Sequence, residues 1–262
     1  MKRRTFLVGG TSALAAAALT GPALADALDT IRSRMMLKVA LDLGSPPFGM
    51  TDAAMQPTGS DVETARLLAA DWGMTLDIVQ ATSPNRVPFL LTGKADMVIA
   101  SFSVNEERQK VIDFSDPYGV IRAVIAGPAG LAIKDYPDLV GKRIGTTRGS
   151  TNDKEATLKA QGAQMVRYGD DATLITAMVS GQVDFVATSP QVLNTANDRK
   201  PPKPFEAKIV MRTFPYAIGL RKGEAKLQAA LNEWVHTNLR NGKLNAIYKK
   251  YHGVDLPADM LN

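Results

Sequence analysis

The sequence predicts an α/β fold of two similar lobes, each built on a mostly parallel sheet, and three observations carry that prediction. One unit of the chain is used twice: Thr92-Gly93-Lys94-Ala95-Asp96-Met97-Val98-Ile99-Ala100-Ser101 lies over Ser180-Gly181-Gln182-Val183-Asp184-Phe185-Val186-Ala187-Thr188-Ser189. Both copies read as a helix end, a glycine stop and a short apolar strand closing on serine. Around each copy, apolar runs of strand length alternate with amphipathic runs of helix length, the pattern of right-handed β-α-β crossovers in open sheets. Beyond Pro215 the pattern changes to a helical terminal piece that has no counterpart in the second half.

In the first half Leu37–Leu41 is a continuous apolar strand. Ser60 and Glu63 have the spacing of a capping box ahead of a helix whose Val62, Ala65, Leu68, Ala69 and Trp72 share one face. Leu76–Val79 is the next strand, Arg86–Leu91 a short helix and Met97–Ala100 a third strand. In the second half Arg143–Thr147, Gln164–Arg167 and Phe185–Ala187 read as strands, separated by helices over Asp153–Ala160 and Ala172–Val179. Tyr216–Arg221 is a further strand. A helix burying Leu227, Leu231, Trp234 and Val235 follows, then a second one carrying Leu244, Ile247, Tyr248 and Tyr251, with Gly242 and Gly253 as stops. If this piece returns to cover the first half, residues 36–120 and 217–262 form a discontinuous first lobe and 121–216 the second. The chain then crosses between lobes twice, near Tyr118–Val124 and Thr213–Ala217.

The amino terminus has the form of an export signal: Lys2, Arg3 and Arg4, an apolar stretch from Phe6 to Leu19, and small residues at Ala23-Leu24-Ala25, with cleavage expected after Ala25. The apolar stretch is broken by Gly9, Gly10, Thr11 and Ser12 and is shorter than the roughly 20 residues that cross a bilayer. Arg3-Arg4-Thr5-Phe6-Leu7 resembles the twin-arginine signal, with ordinary secretion as the other route. Loss of this segment removes three positive charges and no acid, taking the formal net charge from +5 to +2. No Lys/Arg run interleaved with aromatics remains, which argues against a nucleic-acid surface. The chain has no cysteine, so packed cores rather than disulfides must stabilise it.

Further motifs fall along the whole mature chain in a shared order: Ser45-Pro46-Pro47-Phe48, Asn105-Glu106-Glu107-Arg108, Asp113-Phe114-Ser115-Asp116-Pro117-Tyr118, Asp138-Leu139-Val140-Gly141-Lys142, Arg148-Gly149-Ser150-Thr151 and Tyr216-Ala217-Ile218-Gly219-Leu220-Arg221-Lys222-Gly223, together with the two repeat segments. In this order they resemble the bacterial periplasmic solute-binding proteins for polar amino acids. The resemblance implies the venus-flytrap fold, two α/β lobes with mostly parallel sheets joined by a two-strand hinge. It also implies a monomer that closes on a small solute and then docks on the membrane permease of an ABC importer.

Ligands of open α/β sheets sit beyond the carboxyl ends of the strands, where Ser101 and Ser189 lie. The resemblance puts Arg108 where the family's arginine holds a ligand carboxylate, a task suited to a planar fork of donors. Ser101 and Ser103 fall at positions that supply hydroxyl or backbone donors to the same group. Across the cleft Gly149-Ser150-Thr151 opens a helix, whose free amides favour an anion, although Ser150 or Thr151 also suits a simple cap. Ser83-Pro84-Asn85-Arg86 resembles the segment of glutamate- and aspartate-specific members, where the serine and arginine contact the acidic ligand. Arg86 would then meet a second negative group. Ser189 replaces the family's usual aspartate for an α-ammonium, and Ser45 and Ser83 stand where many members place aromatic rings, so a polar, comparatively wide pocket is expected. Asp42, at the end of the first strand, either serves an ammonium or pairs with Arg86 in the empty cleft.

Neither a metal nor a cofactor is expected. His236 and His252, the only histidines, fall in the terminal helical region, and no phosphate loop or nucleophile elbow occurs. A non-catalytic transport receptor is therefore the first reading. A lyase on the same fold, similar to the cyclohexadienyl dehydratases, needs a positioned proton donor, which Ser189 does not readily supply. A sensor subunit reporting to a membrane receptor would use the same closure as transport.

Overall fold

The computed structural model describes residues 27–261; the basic head, the apolar stretch and the expected cleavage point lie outside the described residues. Two five-stranded sheets organise the chain. The first sheet is assembled around β1 (Met36–Leu41), which runs parallel to β4 (Thr75–Gln80) from Met36↔Thr75 to Leu41↔Gln80 and parallel to β5 (Met97–Val98) on its other side. Between β1 and β4 come a hairpin, β2 (Met50–Thr51) with β3 (Pro57–Thr58), and the helix α2 (Ser60–Asp71). The helix α3 (Arg86–Leu91) leads into β5. After α4 (Glu106–Gln109), β6 (Ile112–Phe114) forms the far edge of the sheet.

The second sheet repeats the arrangement. β8 (Arg143–Thr147) lies parallel to β9 (Gln164–Tyr168) and to β10 (Phe185–Thr188), with α5 (Thr151–Lys159), α6 (Asp171–Val179) and α7 (Pro190–Asp198) as its helices. Antiparallel strands extend the parallel trio in both sheets. They are β12 (Gly219–Arg221) between β5 and β6 in the first, and β7 (Gly119–Pro128) with β11 (Phe205–Tyr216) in the second. β7 and β11 are paired where both leave the first sheet, at Gly119↔Tyr216, and they form the two-strand connection.

Alternation along the strands sends side chains to helices on both faces of each sheet. In the first lobe Leu37, Val39 and Leu41 of β1 pack with α2 and the terminal helices α8 (Ala225–Arg240) and α9 (Lys243–His252), whereas Ala40 and Val98 face Leu90 of α3 and Phe102. In the second lobe Val186 faces α6 and α7, while Phe185 and Ala187 face α5 through Ala156. Leu227, Leu231, Trp234, Val235, Leu244 and Tyr248 of the terminal helices pack into the same core as β1 and α2.

Three features differ from the sequence reading. A helix, α1 (Ala27–Arg34), precedes β1 and buries Ala27, Leu28 and Ile31 in the first core. The Ser60–Glu63 capping box does not form. Gly59 is the N-cap, at φ 122°, the Ser60 and Asp61 amides donate to the carbonyls of Pro47 and Phe48, and Glu63 turns to Lys250 and Tyr251 of α9. Loop carbonyls have taken the donors that a capping side chain would satisfy. The strand expected over Tyr216–Arg221 breaks at Ala217 and Ile218, whose amides donate to the Phe102 carbonyl and the Ser115 hydroxyl, because the chain changes sheets there.

Candidate functional site

The lobes meet along the carboxyl ends of their parallel strands, and the cleft between them is closed. The Ala172 amide donates to the Gly44 carbonyl (2.8 Å), the Ser103 and Thr151 hydroxyls are 3.2 Å apart, Ser45 Oγ donates to the Asp171 carboxylate, and Lys154 pairs with Glu107 at the rim. Two chemically distinct corners lie behind these contacts.

The first corner is built on the turn after β5. Ser101 has a left-handed backbone (φ 43°), sparsely populated for a residue with a side chain, and its amide is directed at the carboxylate of Asp61. Two residues on, the Ser103 carbonyl accepts from Arg108 Nη1 at 2.7 Å. Arg108 sits inside α4, whose N-cap Asn105 accepts the Arg108 amide, and its guanidinium stacks 4.3 Å from the Phe102 ring centroid. It is buried, and among the described residues no carboxylate lies within ion-pair distance of it. Burial first, then the like charge of Arg86, work against its charged form. Opposite lies the start of α5. Ser150 is its N-cap, accepting from the Asp153 amide, while the Asp153 carboxylate takes the Gly149 amide and Arg167. Part of this helix start is thus occupied by the protein's own acid, and Thr151 is left to face Ser103.

The second corner gathers Asp42, Arg86 and Asp171. Arg86, in the first turn of α3, donates from Nη2 to Asp42 at 2.8 Å, and both side chains are buried. Of the two roles open for Asp42, the ion pair is the one present. The other Asp42 oxygen accepts the Gly44 amide at 3.1 Å, and Arg86 Nε is buried with no partner. Asp171, the first residue of α6, enters from the other lobe and accepts hydroxyls from Ser45 and Thr147. Burial raises its pKa; the two hydroxyls lower it, Asp42 raises it and Arg86 lowers it. Between the corners Asp61 is pushed up to about 7, by burial above all, against the pull of Arg86 and the Ser101 amide.

The structure therefore brings Asp42, Arg86, Ser101, Ser103, Arg108, Ser150 and Thr151 to the cleft. Ser83 is buried in the short helical turn leading to Arg86. Ser189 is buried as the N-cap of α7, accepting from the Val192 amide at 3.4 Å. Asp61, Asp171 and Thr147 were not singled out as site residues by the sequence, and Ser45 was named only as a small residue lining a wide pocket. Asp171 stands three residues beyond β9, as Ser101 stands three residues beyond β5, but as the first residue of α6 it reads in the sequence as an ordinary first-turn acid.

Residues 37–254 match the family of bacterial extracellular solute-binding proteins, family 3. The ABC transporter glutamine-binding protein GlnH of Bacillus subtilis (strain 168) is 27% identical over 244 residues, covering 89% of this chain and 87% of that protein. Among solved structures, a mutant of ArgBP from T. maritima has 30% identity and a TM-score of 0.79, over 87% of this chain and 100% of that one. The ancestral amino acid-binding protein AncCDT-1, a precursor of cyclohexadienyl dehydratase, has 28% identity and a TM-score of 0.79, over 86% and 98%.

Proposed function

The chain belongs to the bacterial extracellular solute-binding proteins, family 3, and from that premise we propose that it is the receptor of an ABC importer. It captures a carboxylate-bearing small solute between its lobes, a polar amino acid, acidic ones included, or a related compound. It works in the periplasm as an exported monomer and hands the solute to a membrane permease. Transport relatives such as the GlnH glutamine-binding protein support this reading.

One observation carries it: the buried Arg108 guanidinium, which has no carboxylate within ion-pair distance among the described residues. A buried charge without a counter-ion is unfavourable by several kcal/mol (order of magnitude) unless a partner arrives, and a ligand carboxylate is the partner that fits a guanidinium fork. Ser103, Thr151 and Ser150 supply neighbouring hydroxyls. Closure follows as a population shift, because the ligand touches both lobes only in the closed form.

The test is a thermal-shift screen of amino acids, dicarboxylates and other small acids, after native mass spectrometry for co-purified ligand. A true ligand well above its dissociation constant raises the melting temperature by mass action. Arg108→Ala abolishes that shift; a shift that survives intact would overturn the carboxylate assignment. A lyase is the second reading, favoured by Asp171, a cleft carboxyl whose pKa is raised by burial; AncCDT-1, itself an amino acid-binding protein, is a precursor of such an enzyme on a similar fold. Incubation with prephenate or arogenate decides it, since turnover would displace the receptor reading.

A further inference from the structure

The cleft is electrically lopsided. At one end stands Arg108, with no carboxylate in ion-pair contact among the described residues. At the other, two carboxylates, Asp42 and Asp171, face one guanidinium, Arg86, whose Nη2 is already engaged by Asp42. Arg86 is thus already paired with Asp42, and Asp171 is the carboxyl that, among the described residues, has no cation of the protein in ion-pair contact. Its two oxygens accept only neutral hydroxyls, one from each lobe: Ser45 on Oδ2 and Thr147 on Oδ1. Each carboxylate oxygen retains a further acceptor direction. Ser189, at the position where an ammonium partner was expected, holds a hydroxyl engaged in capping α7.

We propose that Asp171 is a specificity-determining residue that binds a cationic nitrogen, an ammonium or guanidinium, at the end of the ligand away from the carboxylate held by Arg108. The inference rests on the carboxylate-receptor reading and narrows it to solutes carrying charges of both signs at opposite ends. It also ties recognition to closure, because Asp171 comes from the second lobe and Ser45, Asp42 and Arg86 from the first. A ligand cation arriving there neutralises the Asp171 carboxylate and draws the lobes together.

Four five-carbon probes separate the possibilities: pentanoate, 5-aminopentanoate, L-norvaline and L-ornithine, measured by calorimetry on the wild type, Asp171→Asn and Asp171→Glu. The wild type is expected to bind 5-aminopentanoate over pentanoate, and ornithine over norvaline, by about ten-fold or more, the size of a charged hydrogen bond. Asp171→Asn keeps the volume and an acceptor for one of the two hydroxyls, and it should remove that preference; Asp171→Glu should retain part of it. No preference in the wild type, a preference that persists in Asp171→Asn, or an equal loss for all four probes overturns the inference, the last by making Asp171 a lobe contact only. If Asp171→Asn does not fold, loss of the preference in Asp171→Glu decides against it. Failure of the underlying reading looks different: Arg108→Ala would then leave pentanoate and norvaline bound as tightly as before.

Discussion

Three carboxyls crowd one cleft, Asp42 and Asp61 buried and Asp171 half-buried, and the way each is held decides what it does. Asp42 has a guanidinium, Asp171 has hydroxyls, and Asp61 has the Ser101 amide with Arg86 further away. For Asp61 burial dominates, raising its pKa from the usual 3.8 to about 7. Between those values the unfolded chain has released a proton that the folded protein keeps, so the stability this residue contributes falls as pH climbs from about 4 to about 7 and is level above. Asp61→Asn preserves an acceptor for Ser101 but does not titrate. Urea denaturation across that range should show a shallower decline for the variant, by a few kcal/mol (order of magnitude); parallel curves would show that Asp61 is already ionised. Arg108, Ser103, Arg86 and Asp42 were legible in the sequence because strand ends and family motifs mark them. Asp61 and Asp171 were not. An acid at the first or second position of a helix looks like an ordinary first-turn acid, and only the approach of the other elements encloses it.

At the scale of elements, the turn entering α2 shows how backbone contacts can override a side-chain motif. Ser60 and Glu63 have capping-box spacing, yet the helix is started by Gly59 at φ 122°, with its first amides delivered to the Pro47 and Phe48 carbonyls. A Cβ at Gly59 would overlap the Phe48 carbonyl, and the backbone conformation is one that side-chain-bearing residues avoid. Gly59→Ala should therefore destabilise the fold by about 1–3 kcal/mol, read as a lower denaturation midpoint, whereas Ser60→Ala should change it little. Equal effects would restore the capping box. Parallel strands and their crossover helices were readable because their apolar runs and glycine stops are local. The helix α1 was not, since Ala27, Leu28 and Ile31 make only a short apolar patch directly after the segment that reads as an export signal. The break between β11 and β12 was equally hidden, because the donors' partners, Phe102 and Ser115, lie about a hundred residues away.

Across the whole molecule, closure depends on a few buried contacts more than on the rim. The Glu107–Lys154 pair is exposed, with side chains 69% and 48% accessible, and such pairs contribute at most about 1 kcal/mol and weaken with salt. The decisive contact is backbone: the Gly44 carbonyl accepts the Ala172 amide, and Gly44 lies directly against Asp170 of the opposite lobe. A Cβ at position 44 would come within 2.9 Å of the Asp170 Cβ, and Asp170 cannot swing away because it caps α6 through the Thr173 amide and hydroxyl. Gly44 has no positive φ, so a side chain there is tolerated by its own lobe. Gly44→Val should thus obstruct closure while leaving each lobe intact. Small-angle scattering should show a larger radius of gyration with saturating ligand than for the wild type, and the melting temperature without ligand should stay unchanged. Affinity should fall by the factor through which the closed population is depleted, since a ligand bound to one lobe lacks the contacts of the other. Wild-type affinity and compaction in Gly44→Val would mean that the ligand-bound protein does not use this approach of the lobes, and that Asp171 meets its ligand in a different arrangement.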